Sequence, residues 1–232
     1  IENRCRIILE IGSTIRKAIG QDFPLGLRLS FDEYLGDAGI TGDQTEKQIQ
    51  IFSDSNLFDF YDISGGGYHN LHIAVAPMGT VAEGFLAESA ARAKRIVKGN
   101  ERVFVVGKFL DLARAEDVLA NGQADAVAMT RAHMADPLLI SKTLNGKESE
   151  IIKCIGANVC VKRLIEDKEV TCFQNPAMGR EKRFGSGTLL RVLDKDRQSI
   201  SVIGGGPAGL RFSGTAAEAG HKVQLFETTK EL

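Results

Sequence analysis

The sequence predicts an α/β fold built around parallel strands, and two observations lead to that prediction. Short apolar strands alternate with helical segments from residue 2 to residue 144. Such alternation is typical of βαβ units, whose crossover helices cover a parallel sheet. Four units of this kind fill about 145 residues, whereas a complete (β/α)8 barrel takes about 250. The segment therefore fits the C-terminal half of a TIM barrel, with a self-contained doubly wound sheet as the alternative.

Hydrophobic spacing and helix-ending residues place the individual elements. Isoleucines from Ile7 to Ile19 recur near helical spacing and predict a first helix. Thr41 is a typical N-cap for the next helix. The predicted elements, in chain order, are a helix at 2–20, a strand at 25–30, a helix at 41–57, a strand at 60–64, a loop at 65–81, a helix at 82–98, a strand at 103–106, a helix at 112–120, a strand at 124–129 and a helix at 134–144.

The regular alternation stops after residue 147, which predicts a three-part chain. Residues 1–147 form the half barrel, residues 148–198 a cysteine-containing connector, and residues 199–232 the first βαβ unit of a Rossmann-like domain. In that last part, a strand at 200–203 precedes a glycine turn, a helix and a strand at 222–226. The chain begins inside a helix without Met, so we expect it to be an internal piece of a longer protein.

Composition and charge exclude several classes of protein. Hydrophobic residues make up 43% of the chain and charged residues 25%, as in ordinary globular proteins. A net charge of −1 gives no electrostatic reason to expect a nucleic acid or membrane partner. No apolar run approaches the roughly 18 residues of a membrane span, and no signal peptide is visible. We therefore expect a cytoplasmic protein that acts on a small molecule, with a homo-oligomer as one option.

A glycine motif opens the last part of the chain. Gly204, Gly206 and Gly209 form G-x-G-x-x-G directly after a strand and at the start of a helix. This spacing allows a tight turn, a close backbone approach to a pyrophosphate, and a helix N-terminus that faces the phosphates. Glu227 ends the second strand, where a carboxylate accepts hydrogen bonds from ribose hydroxyls. The motif predicts a site for FAD, NAD or an ADP moiety, and Glu227 disfavours NADP.

Motifs from all three parts of the chain occur in one characteristic order. They are Glu2-Asn3-Arg4, Leu27-Arg28-Leu29-Ser30, Ala124-Asp125, Arg131, Ala135-Asp136-Pro137, Cys154-Ile155-Gly156, Asn158-Val159-Cys160, Cys172, Asn175-Pro176 and Gly204-Gly205-Gly206-Pro207-Ala208-Gly209-Leu210. Together they resemble the trimethylamine dehydrogenase and 2,4-dienoyl-CoA reductase family of the old yellow enzyme superfamily. The resemblance implies an FMN-bearing barrel, a [4Fe–4S] cluster, and a C-terminal region that binds FAD, ADP or NAD(P)H.

The ends of the last two predicted barrel strands suit a phosphate. In such barrels, the loops after strands seven and eight often hold a phosphate group. Here these loops carry Gly107-Lys108 and Thr130-Arg131, which supply backbone N–H groups, charge and side-chain donors. Arg28 lies inside an apolar strand, where an unpaired charge would be costly. By resemblance it would face the pyrimidine side of the flavin, and a structural salt bridge is the alternative.

The glycine-rich loop after residue 64 holds candidate catalytic residues. His69 resembles the family's active-site histidine, which helps donate or orient a proton, and Tyr68 and His72 would line the same pocket. Histidine titrates near neutral pH and so suits proton transfer. A solvent-exposed polar role without catalysis is the alternative.

The connector carries Cys154, Cys160 and Cys172, and by resemblance these would hold the cluster. Members of the family usually supply four cysteines, but Ala157 stands at the second position. Four thiolates are the norm for iron–sulfur clusters, and four ligands are the norm for structural zinc. The options are a cubane with a non-protein fourth ligand, a three-iron cluster, or an empty site. We expect a bound cluster, and we expect Cys5 to be a buried helix residue.

These features predict an enzyme in which FMN exchanges electrons with a small organic substrate and the cluster relays them to the nucleotide region. The reaction would be either enoate or dienoyl-type reduction with NAD(P)H, or dehydrogenation of a methylated amine. The spacing of the cysteines gives a weak preference for the amine. A non-catalytic nucleotide-binding electron carrier and a degenerate structural paralogue are the alternatives.

Overall fold

The computed structural model describes residues 1–185 and 187–230. The chain divides into two compact units, Ile1–Asn175 and Pro176–Leu232, which we describe separately. The last two residues of the predicted range 199–232 lie outside the described residues. Among the described residues, none of the helices combines the length and hydrophobicity needed to cross a bilayer.

The first unit alternates helices and strands over most of its length. Its described elements are α1 (Glu2–Ile19), β1 (Gly26–Ser30), α2 (Gly42–Asp54), β2 (Phe60–Ser64), α3 (Leu71–Val75), α4 (Ala87–Lys94), β3 (Arg102–Val106), α5 (Leu112–Ala120), β4 (Ala126–Ala128), α6 (Thr130–Ala135), α7 (Leu139–Leu144) and α8 (Val159–Ile165).

The strands of this unit form one parallel sheet, as the sequence predicts. Within the described residues its order is β1-β2-β3-β4, so consecutive strands are also neighbours in space. The two faces of the sheet differ. Tyr61, Ile63, Val103 and Val105 are fully buried and pack in the core with residues of α2, α4 and α5. The opposite face carries polar side chains such as Asp62, so the strands are not apolar on both faces.

Several boundaries differ from the prediction because of glycine and proline. The helix predicted at 82–98 is regular only over Ala87–Lys94, since Gly84 has a φ of +66° that no helical residue adopts. The helix predicted at 134–144 is two helices, α6 and α7, because Pro137 lacks the N–H needed to continue a helix. The loop at 65–81 contains a 3-10 turn at Tyr68–Asn70 and the short helix α3.

Buried Asp136 fixes the break between α6 and α7. Its carboxylate accepts from Lys142 Nζ at 2.6 Å, from Ile152 N at 2.9 Å and from Leu138 N at 3.0 Å. Burial raises the pKa of Asp136, but these three hydrogen bonds and the Lys142 charge outweigh burial and hold the pKa below its ordinary value. The carboxylate thus joins the chain before Pro137 to the segment that leads into the cysteines.

We expect Asp136→Asn to lower the free energy of unfolding by about 1–3 kcal/mol at pH 7, because hydrogen bonds to a charged group are lost. A carboxylate whose pKa is lowered by folding stabilises the protein above its unfolded pKa of about 3.9, and this contribution disappears as the pH falls through the folded pKa. In urea denaturation of the full-length protein, the difference in unfolding free energy between the wild type and Asp136→Asn should therefore be smaller at pH 3 than at pH 7. The exposed Asp22→Asn is the control, and an equal loss in both variants would contradict this role of Asp136.

The second unit contains one βαβ arrangement among its described residues. Its elements are α9 (Glu181–Phe184), β5 (Ser199–Ile203), α10 (Pro207–Glu218) and β6 (Lys222–Phe226). Strands β5 and β6 pair in parallel, from Ser199 with Lys222 to Ile203 with Phe226. The predicted strand, glycine turn, helix and second strand are confirmed in that order.

Candidate functional site

A cavity of about 380 Å³ lies in the first unit, beside the carboxyl ends of the parallel strands. Because these ends meet at one edge of a parallel sheet, loops that are distant in sequence come together there. Its lining includes every residue predicted to bind the flavin: Arg28, Gly107, Lys108, Thr130 and Arg131. The structure thus brings together residues that the sequence placed in one strand and in two separate loops.

Two cations of the cavity have no acidic partner. Lys108 Nζ donates to the carbonyls of Pro77 at 3.1 Å and Val81 at 2.6 Å. Arg131 Nη1 donates to the carbonyl of Ala76 at 3.1 Å. Within the described residues neither cation forms an ion pair with a carboxylate, in contrast to most other buried or half-buried cations here. Half-buried charge without a counter-ion favours an anionic ligand such as a phosphate.

Lys108 also has an unusual backbone. Its φ of +54° lies in the left-handed region, which a residue with a Cβ adopts at a cost. Gly84 N donates to the carbonyls of Gly107 at 3.1 Å and Lys108 at 3.3 Å. Glu83 accepts from the N–H groups of Leu110 at 2.6 Å and Asp111 at 2.5 Å. Residues 83 and 84 therefore hold the loop after β3 in the conformation that brings Lys108 to the cavity.

Arg28 is not an unpaired charge. Its Nη1 lies 2.8 Å from Asp62 Oδ2 on the neighbouring strand, and the Arg28 side chain is 60% exposed. Its Nη2 donates to Ser64 Oγ at 3.4 Å. The argument from burial therefore does not hold for Arg28, which forms the salt bridge weighed as the alternative. Arg28 and Ser64 nevertheless both line the cavity, so the salt bridge also fixes a cation at its wall.

The remaining walls of the cavity are largely apolar. Phe85 and Leu86 lie just before α4, Phe109 follows β3, and Cys160 and Leu164 belong to α8. Cations at one part and apolar side chains over the rest suit a ligand that joins a phosphate to a planar ring system. The residues present therefore fit a flavin mononucleotide.

The predicted catalytic residues lie elsewhere. Tyr68 is 95% exposed, His69 is exposed, and neither lines the cavity. Their 3-10 turn is nevertheless fixed, because buried Asn70 accepts from Gly67 N at 2.8 Å and its amide donates to the carbonyl of Glu33. The turn is thus anchored to the loop that follows the carboxyl end of β1.

The three connector cysteines are the predicted ligands of the cluster. Cys154, Cys160 and Cys172 are half-buried free thiols, whereas Cys5 is buried in α1 as expected. Among the residues that the structure describes, no three His, Cys, Asp or Glu side chains come close enough to hold a metal ion. Together with Ala157, this set does not fit a four-thiolate cluster. Binding of a cluster by these cysteines therefore stays a prediction.

The glycine turn of the second unit has the geometry that its motif predicts. Gly204 has a φ of +101°, which favours glycine. A Cβ at Gly209 would lie 2.0 Å from the Gly204 carbonyl oxygen, so the turn requires a glycine there. Pro207 begins α10, a position where its missing N–H costs nothing.

Glu227 closes this turn. Its carboxylate accepts from Gly205 N at 2.6 Å, and also from the backbone N–H groups of Thr228 at 2.6 Å and Thr229 at 3.2 Å. The hydrogen bond from Gly205, followed by those from Thr229 and Thr228, lowers the pKa of Glu227 to about 2. Glu227 is therefore ionised at any physiological pH and is directed at the glycine turn.

We expect Gly209→Ala to abolish nucleotide binding by the second unit, because the new Cβ meets backbone that must move. The matched control is Gly214→Ala in the same helix, where nothing lies within 4 Å of the added Cβ. That change should raise stability by roughly 0.5–1 kcal/mol through helix propensity. Equilibrium binding of ADP and FAD to both full-length variants measures the difference. Unimpaired binding by Gly209→Ala would contradict the geometry.

Three residues to which the sequence assigned no role in the cavity complete the site. Glu83 holds the loop after β3, Ser64 lines the cavity, and Asn158 accepts from Arg131 Nη1 at 2.6 Å. Each acts through a partner many residues away, so no local motif marks it. The one local signal is that Asn tolerates the left-handed backbone that Asn158 adopts.

Comparison with known proteins gives a family match and similar solved structures. Residues 1–150 match the model of the NADH:flavin oxidoreductase / NADH oxidase family. The chain is 36% identical, over its whole length, to 33% of the N,N-dimethylglycine/sarcosine dehydrogenase of Chromohalobacter salexigens. Histamine dehydrogenase from Rhizobium sp. 4-9 superposes with a TM-score of 0.88 at 25% identity, over 100% of this chain and 32% of that one. A 2-naphthoyl-CoA reductase solved with 2-naphthoyl-CoA superposes with a TM-score of 0.84 at 25% identity, over 100% of this chain and 34% of that one.

The chain belongs to the NADH:flavin oxidoreductase / NADH oxidase family. Its α/β fold resembles the TIM-barrel domain of enzymes such as histamine dehydrogenase, which supports the barrel over the doubly wound alternative. The chain spans about a third of the length of the curated relatives that it matches.

Proposed function

We propose that the full-length protein is an FMN-dependent oxidoreductase whose flavin binds in the cavity of the first unit. The observation that carries the proposal is the pair of cations, Lys108 and Arg131. They line a largely apolar cavity and form no ion pair with any carboxylate that the structure describes. In this arrangement Lys108, Thr130 and Arg131 bind the phosphate, and Arg28 lies beside the ring system. Bound FMN supplies the capacity to accept or donate a hydride.

We further propose that the substrate is a small methylated amine, which the enzyme oxidises. Among the relatives compared above, the dimethylglycine/sarcosine dehydrogenase is the more similar in sequence. Such amines are cationic near neutral pH, so the substrate must lose a proton to a neighbouring group. His69 and Tyr68 remain the candidates for this proton transfer, since Asn70 anchors their turn to the loop that follows β1.

The second unit is proposed to bind the ADP portion of a dinucleotide. Gly204, Gly206 and Gly209 allow the pyrophosphate to approach the backbone, as the left-handed Gly204 and the tight packing of Gly209 support. Glu227 keeps its carboxylate charged for ribose hydroxyls while it accepts from the turn. The division into 1–147, 148–198 and 199–232 remains a proposal as well.

Reduction of an activated carbon–carbon double bond is the second candidate. It is favoured by the likeness to 2-naphthoyl-CoA reductase, whose fold matches over the whole of this chain. A non-catalytic electron carrier would need one nucleotide site, whereas this chain offers an anion-binding cavity in the first unit and a glycine turn in the second.

The test is anaerobic half-reaction spectroscopy of the purified full-length protein. Its absorption spectrum should show bound FMN. Dimethylglycine or sarcosine should bleach this flavin absorption in the absence of NADH. Bleaching by NADH alone, with reoxidation by cinnamate or an enoyl thioester, would favour alkene reduction instead. A colourless protein that takes up no FMN would contradict the proposal. Iron and acid-labile sulfide analysis of the same sample tests the cluster prediction.

A further inference from the structure

Asn158 combines an unusual backbone with an unused helix-capping position. Its φ is 55° and its ψ is 24°, in the left-handed region, and it immediately precedes α8. Asparagine at this position ordinarily accepts hydrogen bonds from the first helical N–H groups. Here the side chain makes no such capping bond. Its conformation therefore serves another contact.

That contact joins three distant parts of the chain. Asn158 Oδ1 accepts from Arg131 Nη1 at 2.6 Å, and Asn158 Nδ2 donates to the carbonyl of Val75 at 3.1 Å. The neighbouring carbonyl of Gly156 accepts from Met78 N at 3.1 Å. The amide is thus oriented by one bond from each of its ends, and the loop at 75–78 is tied to the segment between the cysteines.

The bonds to Arg131 leave one edge of its guanidinium available. Nη1 uses its two N–H groups on Ala76 and Asn158. The Nε and Nη2 donors lie together on the adjacent edge and have no hydrogen bond to any residue that the structure describes. This edge is the planar fork that binds a carboxylate or phosphate with two parallel hydrogen bonds.

We propose that Asn158 is a positioning residue, which holds Arg131 so that its Nε–Nη2 edge faces the phosphate of FMN. The inference rests on the proposed flavin site. A neutral amide is suited to this role, because it orients the guanidinium without cancelling the charge that attracts the phosphate. The segment that lacks its second cysteine thereby acquires a function in flavin binding that requires no metal.

The test compares FMN with riboflavin, which lacks the phosphate. The full-length protein is freed of flavin, and both ligands are titrated by flavin fluorescence. Asn158→Gly removes the side chain and relieves the left-handed backbone, so the variant should fold at least as well as the wild type. FMN should bind about tenfold more weakly, as expected when a hydrogen bond to a charged group is lost. Riboflavin affinity should change less than about twofold, since the ring contacts remain.

Asn56→Gly is the matched control, because Asn56 has the same φ of 55° and lies outside the cavity lining. Arg131→Ala separates this inference from the proposal on which it depends. If Arg131→Ala weakens FMN binding and Asn158→Gly does not, the positioning role of Asn158 is wrong and the flavin site stands. If neither change affects FMN, the flavin site itself is wrong. Equal weakening of FMN and riboflavin by Asn158→Gly would also overturn the inference, because it would indicate general damage to the pocket.

Discussion

Replacing Arg131 with Ala should leave the purified full-length protein largely without FMN. In the proposed site, the Nε–Nη2 edge would supply two charge-assisted hydrogen bonds to the phosphate, each worth about 1.5–3 kcal/mol. A loss of about 3 kcal/mol or more corresponds to roughly a hundredfold weaker binding. The measurement is flavin content after purification, followed by titration of the flavin-free protein. Arg131→Lys retains the charge but lacks the planar fork, so its FMN affinity should lie between those of Arg131→Ala and the wild type.

Arg95→Ala provides the control for this experiment. Arg95 is 63% exposed, pairs with Glu88 at 3.2 Å and does not line the cavity. Its removal lowers the positive charge of the protein by the same amount as Arg131→Ala. Flavin content equal to the wild type in both variants would show that the phosphate does not bind between Lys108 and Arg131. Riboflavin affinity should be nearly unchanged in both variants.

The largest effect on stability is expected for Arg16→Ala. The Arg16 side chain is 5% exposed. It donates twice to the Leu57 carbonyl at 3.2 and 2.6 Å, and also to the carbonyls of Gly20 at 3.2 Å and Phe23 at 2.8 Å. The fifth bond is to Asp59 Oδ2, at 2.8 Å. All five N–H groups of the guanidinium are therefore paired, and they join the end of α1 to the segments that precede β1 and β2.

Removal of Arg16 leaves these acceptors without partners and opens a cavity, at a cost of about 3–5 kcal/mol. Urea denaturation of the full-length protein should show a clear shift of the transition that involves the first unit. Arg6→Ala in the same helix is the control, since Arg6 is 70% exposed and lies 3.9 Å from Glu10. An exposed pair of this kind contributes about 0.5 kcal/mol. Similar shifts for both variants would contradict the structural role of Arg16.

The sequence could predict those parts of the site that short-range patterns encode. Lys108 and Arg131 follow apolar strands directly, and parallel strands bring their carboxyl ends to one edge. Gly204 and Gly209 were predictable because only glycine fits their backbone and contacts. The prediction of one continuous helix at 134–144 was wrong, although Pro137 is a local signal for a break in a helix.

Other features depended on partners that no local pattern identifies. The sequence presents Arg16 as an ordinary basic residue near a helix end, yet 41 residues separate it from Leu57, to which it is bonded. Asn158 entered the sequence analysis only as part of the Asn158-Val159-Cys160 motif, and its partner Val75 is 83 residues away. For Arg28 the flavin was the expected partner and a salt bridge the alternative. The register that places Arg28 beside Asp62 is a property of the folded sheet.

The sequence by itself determined the alternation of strands and helices, the phosphate-type residues at the strand ends and the glycine turn, because hydrophobic period, glycine and proline act over a few residues. The tertiary structure decided which polar groups satisfy each other. Within the part of the chain that the structure describes, it pairs Asp62 with Arg28 and leaves Lys108 and Arg131 without a carboxylate partner. Hydrogen bonds and ion pairs act between surfaces that only folding brings together, and a buried polar group must find its partner there.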